Sequence, residues 1–145
     1  MPTGRRSARR EAVFVLYQQD LLGLTPVGAL DRSDGARLDE YGRRLVLGVG
    51  RQRDDVDSII TRHIMGWELA RLGILERAIL RVATYELFWE RQAPDAVVIN
   101  EAVALAKRFC SAEAGALVNG VLGAVAGDES REDLDHSGVD SEEPR

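Results

Sequence analysis

Ala8, Ala12, Val15, Leu16 and Leu22 recur along the start of the chain at the spacing of one apolar face on a helix. The same rhythm returns in Leu38, Tyr41, Leu45 and Val49, then in Val56, Ile59, Ile60 and Ile64. Leu72, Leu75, Ile79, Val82, Ala83 and Leu87 form the longest stripe. Ala102, Leu105, Ala106 and Phe109 follow, then Leu117, Val118, Val121, Leu122 and Val125. No segment alternates with period two, as a half-buried strand would. Val97-Val98-Ile99 is the one β-branched run; Asn100 after it reads as a helix N-cap, with Ile99 placed for a hydrophobic staple. Asn119-Gly120 would signal a hairpin between strands. Its neighbours keep the helical rhythm, so the pair is placed inside a helix or at its bend. The rhythm breaks near Gly23 to Asp34, Gly66, Pro94 and Ser111. The expectation is an all-α domain of six or seven helices packed ridge into groove.

Composition adds limits. With 145 residues, 45% of them apolar, the chain holds one domain's worth of core. From Asp128 to Arg145 the only large apolar residues are Leu134 and Val139. So little burial does not offset the entropy of ordering, so residues 128–145 are expected to be a disordered tail behind a helical domain of residues 1–127. Cys110 is the only cysteine and His63 and His136 the only histidines, which leaves no disulfide and no metal-ligand spacing. Cys110 reads as an inert buried thiol and His63 as a surface or partnered histidine. Gly48 and Gly50 lack the third glycine or lysine of a phosphate-cradling loop. No cofactor is expected. Gly115 to Gly127 is too short and too glycine-rich to span a bilayer. The N-terminus has no signal-type apolar run. These features suit a cytoplasmic protein.

The net charge of −5 is uneven. The tail carries eight acids and two arginines; the remaining 17 basic and 16 acidic groups leave residues 1–127 at +1. Lys107 is the only lysine. Arginine suits bidentate phosphate contacts and stacking on bases, although a skewed genome composition gives the same bias.

Arg5, Arg6, Arg9 and Arg10 enter the first helix within an arc of about 140°, with Tyr17 on that arc two turns later. Cations at a helix N-terminus oppose the macrodipole, and Arg5/Arg9 and Arg6/Arg10 add repulsion at i, i+4. Only Glu11 lies nearby to compensate. A cluster that breaks local rules without local gain points to an anionic partner, and nucleic acid fits best. The bland reading is a soluble basic end.

The acids do not form a catalytic pair. Glu86 and Glu101 stand beside core positions, where a buried ion pair of Arg81 with Glu86 or Glu101 is the expected use. Glu101 is taken to open its helix, and Glu76 to sit exposed near the start of its own.

Four stretches then carry a resemblance. Arg-Arg-Ser-Ala-Arg-Arg-Glu-Ala-Val-Phe-Val-Leu-Tyr (5–17), Glu-Arg-Ala-Ile-Leu-Arg-Val-Ala-Thr-Tyr-Glu-Leu (76–87), Val-Ile-Asn-Glu-Ala-Val-Ala-Leu-Ala-Lys-Arg-Phe (98–109) and Val-Asn-Gly-Val-Leu (118–122) resemble the NusB family of transcription antitermination factors, in its order and spacing. The resemblance implies two small helical bundles packed together. It implies binding of single-stranded boxA RNA in ribosomal RNA transcripts, with ribosomal protein S10, inside an RNA polymerase antitermination complex. It assigns RNA contact to Arg5, Arg6, Arg9, Arg10 and Tyr17, and S10 contact to Tyr17, Glu76 and Glu113. Ala116-Leu117 stand where many members have a lysine and an aromatic. Some members are dimeric, so a homodimer of the free chain is a further expectation.

Two other readings stay beside this one. An RNA cytosine methyltransferase can carry such a domain at its N-terminus, but this chain has no cofactor loop. A helical protein-interaction module would use the arginines on an acidic partner, or on the chain's own tail.

Overall fold

The computed structural model describes residues 4–32, 38–132 and 134. Seven α-helices make up nearly all of it: α1 (Gly4–Leu22), α2 (Pro26–Arg32), α3 (Glu40–Arg51), α4 (Arg53–His63), α5 (Ile74–Tyr85), α6 (Asp95–Phe109) and α7 (Ala112–Ala126). A 3-10 turn at Leu69–Arg71 precedes α5, and a π-turn at Glu86–Glu90 extends it. Among the described residues there is no strand. None of the described helices is long and apolar enough to cross a membrane.

α1, α2 and α3 pack as one group, α4, α6 and α7 as a second, and α5 touches both. α5 is accordingly buried all round: every residue from Ala78 to Tyr85 lies inside. A helix apolar on all faces is the expected form of a central core helix. The two-bundle architecture follows from this shared helix.

The breaks at Gly23, Gly66, Pro94 and Ser111 fall where the rhythm places them, and Asn119-Gly120 lies inside α7. One further break, at Gln52 between α3 and α4, left no mark on the rhythm. Two expectations change. Asn100 does not cap a helix: α6 starts five residues earlier at Asp95, with Pro94 at the N-cap position. Asp95 in the first turn suits the helix dipole, and burial of Val98 outweighs the weak helix preference of the β-branched run. Glu101 therefore sits in the second turn and does not open the helix.

The second change concerns the tail. Asp128 accepts from Arg62 Nη2 at 2.8 Å and lies 2.6 Å from His63 Nε2. Arg131 donates to Leu87 O at 2.9 Å and Ala126 O at 2.6 Å, and it pairs with Asp95. Residues 128–132 are thus packed on the body and do not form part of a disordered tail. Residues 135–145 lie outside the described residues. His63 has the partner expected of it.

Candidate nucleic-acid interface

The four arginines of α1 do not share one face. Arg9 is only 6% exposed, flanked on the same side by the buried Val13 and Leu16. It forms a bidentate pair with Glu86, Nε to Oε1 at 2.8 Å and Nη2 to Oε2 at 2.7 Å. Tyr41 OH donates to the same carboxylate at 2.8 Å. Burial works against the Arg9 charge, but the hydrogen bond and charge of Glu86 outweigh it and raise the guanidinium pKa. Burial first, then Glu86, pushes the Tyr41 hydroxyl well above its ordinary value.

Arg6 points outward, its side chain 80% exposed, and donates to Glu101 Oε2 at 2.9 Å. Arg5 donates to Gln92 Oε1 at 2.7 Å and lays its guanidinium 3.9 Å over the Tyr41 ring. Arg10 makes no ion pair with any described residue. Helical spacing then sets Arg6, Arg10 and Tyr17 on one arc of about 40°. Tyr17 is half-buried. Beyond Arg10 on the same side come exposed Leu21 and then Phe14, which meets Phe109 edge to face at 5.1 Å between ring centroids.

The compensation missing from the local sequence is supplied across the fold, by Glu86, Glu101 and Gln92. Glu11 is not needed for it. The buried pair expected of Arg81 exists with other partners: Asp57 Oδ1 at 2.7 Å and Asp20 Oδ2 at 2.7 Å. Glu86 and Glu101 serve α1 instead.

Glu76 is not a free acid. Its Oε1 accepts from the Gly73 backbone N–H at 3.0 Å and closes the first turn of α5. Glycine has no side chain to return the bond, so this cap is one-sided. Burial, then the charge of Glu76, raises the Cys110 thiol at the C-terminal end of α6. Glu113, exposed in the first turn of α7, follows the α6–α7 corner, where Ser111 caps the helix by accepting from Ala114 N at 3.0 Å. Exposed Met65 and Trp67 occur in the connection that leads to α5.

The sequence model of the NusB family matches residues 6–127. The chain belongs to the NusB family. The transcription antitermination protein NusB of Acidothermus cellulolyticus is 45% identical over 125 residues, covering 83% of this chain and 86% of that protein. The NusB of Exiguobacterium sp. is 42% identical over 120 residues, covering 82% and 94%. Among solved structures, T. maritima NusB superposes with a TM-score of 0.80 at 29% identity, over 91% of this chain and 96% of that one. A crystal structure of antitermination factors NusB and NusE in complex with dsRNA gives a TM-score of 0.79 at 32% identity, over 88% and 98%. The sequence carries the NusB family motifs and the basic first helix, but nothing local marks Tyr41 and Gln92, which lie on other elements and meet Arg5 only in the fold.

Proposed function

We propose that this chain is a transcription antitermination factor that binds the boxA RNA of ribosomal transcripts together with ribosomal protein S10. Its role is binding, with no bond made or broken. The observation that carries the reading is the line of exposed Arg6 with half-buried Arg10 and Tyr17 on one arc of α1, on a fold shared with a NusB solved beside NusE and RNA.

The division of labour follows from burial. Arg6 and Arg10 take backbone phosphates, and Arg5 adds a third from the helix end. Phosphate contacts of this kind position the strand, and unstacked bases supply specificity. Arg9 acts through Glu86 as a positioning residue, since a guanidinium buried in a bidentate pair does not reach RNA. Glu101 holds Arg6 while the site is free, and a phosphate displaces it at one exposed hydrogen bond. Tyr17 lies on the arginine arc, at the join of the RNA and S10 surfaces. Glu76 and Glu113 present acid to S10.

Titration of the full chain into fluorescent boxA RNA and a scrambled control, with and without S10, tests this. The expected result is preference for boxA, strengthened by S10. Equal binding of both RNAs reduces the site to a basic helix. Absence of binding even with S10 replaces the reading with a protein-interaction module.

A further inference from the structure

The basic surface does not end with α1. Two guanidiniums meet the Tyr41 ring: Arg5 at 3.9 Å from its centroid and Arg44, on α3, at 5.7 Å. Arg44 is half-exposed and pairs with Glu90 at 2.5 Å. Glu90 also accepts from Tyr85 OH at 3.3 Å and from Gln92 Nε2 at 3.5 Å, and Gln92 in turn holds Arg5. An unbroken chain of contacts, Arg5 to Gln92 to Glu90 to Arg44, thus joins the start of α1 to α3. Arg51 lies two turns beyond Arg44 on the same face of α3, exposed, its charge felt at the Tyr85 hydroxyl. Glu40, one turn before Arg44, is the acid at the other margin.

Glu90 offsets the two like charges at the Tyr41 ring, and the contacts to Gln92 and Glu90 use one donor nitrogen of each guanidinium, so both forks have N–H groups left for a further anion. Arginine forks of this kind match phosphate oxygens. The π-turn makes the arrangement possible: it carries Glu90 and Gln92 round to the α3 side, and Arg91 in the left-handed region ends it. We propose that single-stranded RNA bound at Arg6 and Arg10 continues over Arg5 onto α3, where Arg44 and Arg51 take the next phosphates. This extension rests on the RNA-binding reading above.

The test is the salt dependence of RNA affinity for the full chain with S10, using boxA RNA with nucleotides added on both flanks. Each single-strand phosphate contact contributes a slope of roughly −0.7 in log affinity against log salt. Five contacts give about −3.5 for the wild type, and Arg44→Ala/Arg51→Ala should bring it to about −2. Arg44→Lys/Arg51→Lys should restore most of the slope. Arg71→Ala, an exposed arginine on the 3-10 turn, should leave it unchanged. Trimming one flank of the RNA, and not the other, should abolish the difference between the wild type and the double alanine variant. An unchanged slope in that variant overturns the extension while boxA binding by the wild type still stands. Failure of the wild type to bind any of the RNAs overturns both.

Discussion

Arg9 and Glu86, 77 positions apart in the chain, form a bidentate pair almost wholly closed to solvent, with side-chain exposures of 7% and 0%. The pair ties the first turns of α1 to the point where α5 becomes a π-turn. Breaking a buried pair from one side leaves a stranded charge, at about 3–5 kcal/mol. Arg9→Ala should lower unfolding stability by that amount in urea, and Arg9→Met/Glu86→Leu should recover most of it. A loss under about 1 kcal/mol for Arg9→Ala would show that the pair is not buried as described.

Two glycines test the packing of α3 and α7 in opposite directions. A Cβ on Gly48 would stand 2.1 Å from Cζ of Tyr85. That ring is buried and stacks on Trp89 at 5.6 Å, so it has little room to move. Gly48→Ala should cost about 1–3 kcal/mol and change the near-ultraviolet circular dichroism. A Cβ on Gly120, inside α7, meets nothing within 4 Å. Gly120→Ala should therefore gain roughly 0.5–1 kcal/mol. Similar effects from both would contradict the close approach at Gly48.

The sequence encodes some of these elements openly and others not at all. The helices and most of their breaks follow from the 3.6-residue rhythm, because each buries one face or, for α5, all of them. The burial of Arg9 also had a signal: Val13 and Leu16 lie four and seven positions on, so the buried arc runs through it. Reading the four arginines as one charged arc overlooked those neighbours. The partners had no signal at all. Glu86 and Asp57 are single acids among many, and nothing local says that the first meets Arg9 and the second Arg81. The start of α6 was misplaced because Asn100 is a better cap by type than Pro94, whereas tertiary burial of Val98 decides the boundary.

The packed start of the C-terminal segment carries a pH dependence. Burial pushes the Asp128 carboxyl up, but hydrogen bonds from Ser130, Arg62 and His63 outweigh it and hold it well below the ordinary carboxylate range. A group depressed in the folded state stabilises the fold above its unfolded value of about 3.9 and loses that contribution as pH falls towards its folded value. Asp128→Asn should therefore be less stable than the wild type at pH 7, by roughly 1–3 kcal/mol. The gap should narrow from about pH 4 downwards. Thermal unfolding of both proteins across that range checks it, and a gap that stays constant below pH 4 sinks the assignment.

One substitution separates the capping bond of Glu76 from the S10 contact proposed for it. Glu76→Gln keeps an oxygen for the Gly73 N–H and removes the charge offered to S10. Its melting temperature should move little, while S10 affinity falls about 5- to 10-fold, or roughly 1–1.4 kcal/mol. Calorimetric titration with S10 reads this directly. Unchanged affinity would confine Glu76 to its capping role.

The proposed grip of Arg6 and Arg10 on the RNA decides the functional reading. Its most direct test is the affinity of Arg6→Ala/Arg10→Ala for boxA RNA across a salt series, beside the wild type and with S10 present. Weaker binding is expected, with a salt slope shallower by about 1.4, at roughly 0.7 per phosphate, and with S10 affinity in the absence of RNA unchanged. Wild-type affinity and slope in the double variant would contradict it.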